Sequence, residues 1–212
     1  MNRLEKLLVG GFDATAELHD RTTNPFHKAI LRVWWRHSLL ECSGLFNEIV
    51  SDTMMNEDPE YRIMWGDEAT IIHGKDAVLD FYVNSAAASV MYHTDNLLAV
   101  ADWGISDELT FHHVAQGSTL QALGYTVPDQ ERYYDVSTRQ VFLWPFDERA
   151  RVIGERLYED KSTLRIEEIA PEEIVTPERA REVYHQELLA LDARLGPDYW
   201  IYQPIEKSAS KR

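Results

Sequence analysis

Five long runs rich in β-branched and aromatic residues fill the middle of the chain, at 90–103, 106–116, 133–144, 151–159 and 163–169, with turn residues between them. Several exceed ten residues, a length that suits a strongly bent antiparallel sheet better than a parallel one. No glycine-rich strand-to-helix turn accompanies them, so a dinucleotide-binding fold has no support. Upstream the period is helical. Asn24 and Pro25 form a start signal, and Phe26, Ile30, Val33, Trp34, His37 and Glu41 recur at three- and four-residue steps along one face. A shorter helix is expected over 45–50. Two short strands follow at 61–65 and 69–73, joined through Gly66-Asp67, and then a helix at 75–88. Thr176-Pro177-Glu178 opens a last helix that Gly196-Pro197 stops. Residues 1–22 are mixed in pattern and are read as an arm lying over the surface or on a partner. The division is therefore 1–22 arm, 23–170 main domain and 171–212 C-terminal helix and tail.

Composition narrows the function classes. Apolar residues make up 44% of 212, enough for a substantial core. A formal net charge of −15 argues against nucleic acid and anionic membranes as partners, because both need clustered positive charge; the basic tail at 207–212 reads as a loose terminus. Cys42 is the single cysteine, which excludes an internal disulfide framework. The first residues lack an apolar run of signal-peptide or membrane-span length. A soluble cytoplasmic protein is the expectation.

Two short motifs carry the functional reading: Glu57-Asp58-Pro59, and Phe81-Tyr82-Val83-Asn84-Ser85 at the end of the 75–88 helix. Together, in this order, they resemble the ketosteroid isomerase branch of the nuclear transport factor 2-like superfamily. The resemblance implies an α+β fold: a cone-shaped curved antiparallel sheet with three helices packed in its concave face, here with a C-terminal helical extension. It places Asp58 on the position of the proton-shuttling base. Trp34 falls where the family has an oxyanion-stabilising tyrosine, and Phe142 where it has a protonated aspartate. An indole N–H can still donate to an oxyanion, whereas Phe142 offers nothing.

Histidine is the candidate replacement. Leu109, Phe111 and His113 share one strand face by the two-residue period, and matching Gln116-Gly117 to the isomerase turn makes it the pocket face, with His112 outward. His93 and His37 are further acid–base candidates. Trp34, Trp65, Phe81, Phe111 and Phe142 are expected to wall the substrate pocket. Each residue also has a structural reading: Asp58 as a turn cap before Pro59, the histidines as ordinary strand or helix residues, the aromatics as core. No His-x-x-x-His, His-x-His or cysteine pair accompanies them, so neither metal nor cofactor is expected. The resulting expectation is a cofactor-independent lyase or dehydratase acting on an apolar hydroxylated aromatic or polycyclic molecule, such as a lignin-derived diarylpropane. Scytalone-dehydratase-like and SnoaL-like members and sphingomonad-type diarylpropane lyases give the range. The alternatives are a ketosteroid-isomerase-like isomerase or polyketide cyclase, and a non-catalytic binding protein using the same cavity. A homodimer is expected, formed through the long strands at 90–103 and 133–144.

Overall fold

In a computed structural model, residues 1–65, 68–85 and 89–204 are described. The Gly66-Asp67 turn, the end of the 75–88 helix and the basic tail at 207–212 lie outside the described residues. Helix α1 (Arg3–Gly10) and α2 (Asp13–Arg21) precede α3 (Pro25–Ser43) and the short α4 (Phe46–Ile49). Then come β1 (Met55–Met64), β2 (Thr70–His73), α5 (Lys75–Ser85), β3 (Val90–Ala101) and β4 (Gly104–Gln116). The last elements are α6 (Gly117–Ala122), β5 (Tyr133–Pro145), β6 (Val152–Glu168) and α7 (Pro177–Leu195). The region read as an arm forms α1 and α2, which bury Leu4, Leu8 and Phe12 against α7, α3 and β3. None of the described helices is long and apolar enough to cross a membrane.

Among the described residues six strands form one sheet in the order β2-β1-β6-β5-β4-β3. This corrects the cone-shaped, wholly antiparallel sheet expected from the sequence. The sheet is open, with β2 and β3 as its edges, and it is mixed, because β1 runs parallel to β6 while the other neighbours are antiparallel. A parallel pair needs a long connection; everything from β2 to β5 supplies it here. Strand-forming side chains do not encode which direction a distant partner runs, so the sequence pattern was silent on this pairing. The runs at 151–159 and 163–169 are also one strand, β6, which slips register against β5 between Ser137 and Arg139.

Helix α3 begins where expected, with the Asn24 side chain accepting from Phe26 N at 2.9 Å and Pro25 at the first helical position. Gly44, at φ +75°, ends it. One side packs on β3 and β4; the other meets α2 and α7. The Arg36 guanidinium, buried between them, bonds Asp192 of α7 at 2.7 Å and Glu48 at 2.8 Å. Thr94, Thr110, His112, Asp135 and Arg139 gather in one concavity of β3–β5, and Leu97 and Trp103 are exposed on the same stretch of chain.

The β1–β6 junction is held by the turn between β5 and β6. Arg151 is buried and bonds Asp147 at 2.8 Å and Glu57 at 2.7 and 3.1 Å, tying the turn to the start of β1. At Gly154 the two backbones come so close that a Cβ would overlap the Glu60 carbonyl. Gly154→Ala is therefore expected to destabilise the protein by about 1–3 kcal/mol or more, the scale of overpacking at a rigid contact, as measured by urea unfolding. Wild-type stability in this variant would show that the strands can separate at no cost.

Candidate active site

The inner face of the sheet and α3 line a small cavity of about 70 Å³. Helical spacing brings Trp34, Ser38, Glu41 and Cys42 of α3 to it; α5 adds Phe81 and Ser85, and Trp65 follows β1. From the strands come His93, Leu109 with Phe111, Phe142 with Trp144, and Glu155 with Leu157, in the two-residue steps that one sheet face imposes. The walls are thus mostly apolar with a few polar groups, the usual make-up of a small-molecule site.

Two of those polar groups are carboxylates. Glu155 is 5% exposed, and loss of water together with the nearby Glu41 charge pushes its carboxyl well above the usual carboxylate range. Burial pushes Glu41 up to about 7. A quarter of the Glu41 side chain stays accessible, so water tempers its shift more than that of Glu155. The parallel register sets Tyr61 of β1 beside Glu155. The Tyr61 hydroxyl lies 3.0 Å from that of Tyr82, which in turn lies 2.8 Å from His37 Nε2, making a buried polar chain behind the cavity wall. Burial pushes His37 down to about 3, so its ring is neutral. Burial likewise pushes the Cys42 thiol up, which leaves it a poor nucleophile. Among the described residues Trp34 Nε1, Trp65 Nε1 and His93 Nε2, buried on side chains that line the cavity, meet no hydrogen-bond partner.

The sequence-selected residues divide. Trp34, Trp65, Phe81, Phe111 and Phe142 all line this one cavity, and His93 lines it with them. His37 stands behind the wall, edge-on to Trp144 with ring centroids 4.8 Å apart. His113 contacts Trp65 and Phe111, with Nδ1 3.4 Å from Ser89 Oγ, and burial pushes it down to about 4. His112 faces the opposite side of the sheet, 3.0 Å from Asp135 and stacked on Tyr92. Asp58 is the correction: it is exposed on β1, outside the cavity, and its N–H donates to Asn56 Oδ1. The motif that marked it continues into a strand here, and the strand's outer face carries it away from the pocket. The acids that do reach the cavity were missed. Glu41 closed the helical stripe one turn after His37, and Glu155 shares alternation with Leu157, so both carried a signal. Among the described residues no group of three or more His, Cys, Asp or Glu side chains is placed to hold a metal ion.

No family model and no curated protein matches the sequence. Solved structures do. A protein described as a SnoaL-like polyketide cyclase from Shewanella putrefaciens CN-32 matches with a TM-score of 0.54 at 12% identity, covering 71% of this chain and 89% of its own. The Delta 5-3-ketosteroid isomerase from Mycobacterium sp. matches with a TM-score of 0.47 at 15% identity, covering 65% and 98%. These neighbours are members of the nuclear transport factor 2-like superfamily, and the first of them shows that this chain has their fold.

The raised carboxyls make stability fall with pH. Each favours the protonated form when folded, so its contribution is complete below about pH 4.5 and is lost as pH rises, through about 7 for Glu41 and well above the usual carboxylate range for Glu155. Each unit of elevation is worth about 1.4 kcal/mol, on the order of 2–4 °C in a chain this long. Glu155→Gln should match the wild-type Tm near pH 4.5 and exceed it by several degrees at pH 8. The neutral histidines are common to both proteins and cancel. A Tm difference independent of pH would show that Glu155 is not held protonated.

Proposed function

We propose that the chain is a cofactor-independent acid–base catalyst of the isomerase or cyclase kind, acting on an apolar ketone held in the cavity. The observation that carries this is the pair of carboxylates, one from α3 and one from β6, on a single, mostly apolar cavity. Two like charges so placed resist ionising together, so near neutral pH the pair holds a base and an acid at once. Glu41 as carboxylate takes a proton from the carbon next to the substrate carbonyl. Glu155 as acid donates its proton to the developing enolate oxygen, and Tyr61 lies beside it. Return of the Glu41 proton to another carbon of a conjugated enol, as the enol O–H goes back to Glu155, completes an isomerisation; attack of the enol carbon on a second carbonyl within the same molecule closes a ring, with the new alkoxide taking the Glu41 proton and the enol O–H going back to Glu155. The elimination expected from the sequence relied on Asp58 as base, and an exposed Asp58 cannot serve a molecule in this cavity.

Enzyme-dependent exchange of α-protons of 2-tetralone with D2O, followed by proton NMR, tests the assignment. Glu41→Gln and Glu155→Gln should each slow exchange by on the order of 10²–10⁴-fold. The rate should rise with pH through about 7 as Glu41 ionises. Exchange unaffected by both substitutions overturns the assignment. Ketone binding without exchange in the wild type favours the binding-protein alternative.

A further inference from the structure

Strand β3 holds one more residue than β4 between Thr94 and Leu97, and Asp95 sits at φ +55° within this bulge. Such backbone is uncommon outside glycine and persists only where surrounding contacts enforce it. Its consequence is the placement of Asn96. The Asn96 Nδ2 donates to Asp107 Oδ2 at 2.7 Å, and its Oδ1 lies 3.0 Å from His93 Nδ1. Asp107 is fully buried on β4, two residues from Leu109 and four from Phe111.

Burial pushes Asp107 up to about 6, so above that pH it is a carboxylate and the contacts have one consistent set of protons. A carboxylate only accepts, so the amide nitrogen of Asn96 then faces Asp107 and the amide oxygen faces His93. Only a ring N–H satisfies that oxygen, so the imidazole proton sits on Nδ1 and Nε2 keeps a bare lone pair. Nε2 is buried and without a partner, on a ring that lines the cavity. Next to it stands Trp34, with ring centroids 6.3 Å apart, whose indole N–H is a buried donor also without a partner. Two cavity-lining side chains, each with an unpartnered buried nitrogen, one an acceptor and one a donor, thus stand side by side. A ketone or ether oxygen answers Trp34 alone, whereas a hydroxyl both donates and accepts.

We propose that Asn96 and Asp107 lock His93 as a hydrogen-bond acceptor and that the ligand is an apolar ketone bearing a hydroxyl, alcohol or phenol, at the His93 end. Asn96 and Asp107 are positioning residues in this arrangement. The ligand half rests on the reading of the cavity as a binding site given above; the tautomer half does not.

Two measurements test it. Long-range proton–nitrogen NMR on protein labelled with ¹⁵N-histidine should show His93 with Nδ1 protonated and Nε2 bare, and Asn96→Leu should mix the tautomers. Calorimetric binding of 6-hydroxy-2-tetralone should exceed that of 6-methoxy-2-tetralone by about tenfold or more, since the ether leaves the buried acceptor unpaired. Asn96→Leu should shrink that preference. A proton on Nε2 in the wild type overturns the proposal, as does equal affinity for the two tetralones. Failure of both to bind overturns the cavity reading itself, whichever tautomer is found.

Discussion

Everything in this molecule is arranged around a helix that is buried on nearly every side. Helix α3 hides Ile30, Leu31, Val33, Trp34, Trp35, Leu39 and Leu40, residues that point in all directions around its axis. It needs cover on two flanks, and the sheet alone supplies one. The second flank is α7 with α2, which gives the C-terminal helix and the N-terminal residues a structural task. Arg36 makes that cover specific. Its charge is buried at the α3–α7 contact only because Asp192 and Glu48 meet it there and the Trp200 ring lies 3.9 Å from the guanidinium carbon. With α3 held from behind, Trp34 and Glu41 are held at the cavity.

The parallel pairing of β1 with β6 is the second constraint, and it shapes the chemistry directly. Register sets Tyr61 beside Glu155 and Ile63 beside Leu157. A carboxyl on the inner face would lose its water in any pairing, but here it also gains a tyrosine whose hydroxyl continues through Tyr82 to His37. The cluster around Arg151 and the absent side chain of Gly154 secure that pairing from the far end. The salt bridges there and the acid in the cavity therefore belong to one piece of architecture.

The polar groups of the cavity fall into two sets with different surroundings. Glu41 and Glu155 influence one another, so the proton on one depends on the charge of the other. His93 is held through an amide, which passes on geometry and carries no charge. In the function proposed above, the carboxyl pair handles the proton and His93 orients the ligand, which keeps the two tasks on separate groups.

The start of α3, its apolar stripe, α7 with its Thr176 cap and most of the strand positions followed from the sequence, because caps and periodicity are local properties of the chain. The resemblance had selected Trp34, Phe81 and Phe142 and the strand period Phe111, and these side chains lie around one cavity. Asp58 went the other way. A three-residue motif fixes no face, and the strand that contains it turns the carboxylate outward. The direction of β1, the openness of the sheet and the bulge that carries Asn96 were also beyond the sequence, since each depends on which strands meet across long stretches of chain. Glu155 shows the division most clearly. Its alternation with Leu157 was written in the sequence. Its loss of water, its neighbour Glu41 and its elevated proton affinity arise only when α3 closes over the face that the β1–β6 pairing builds.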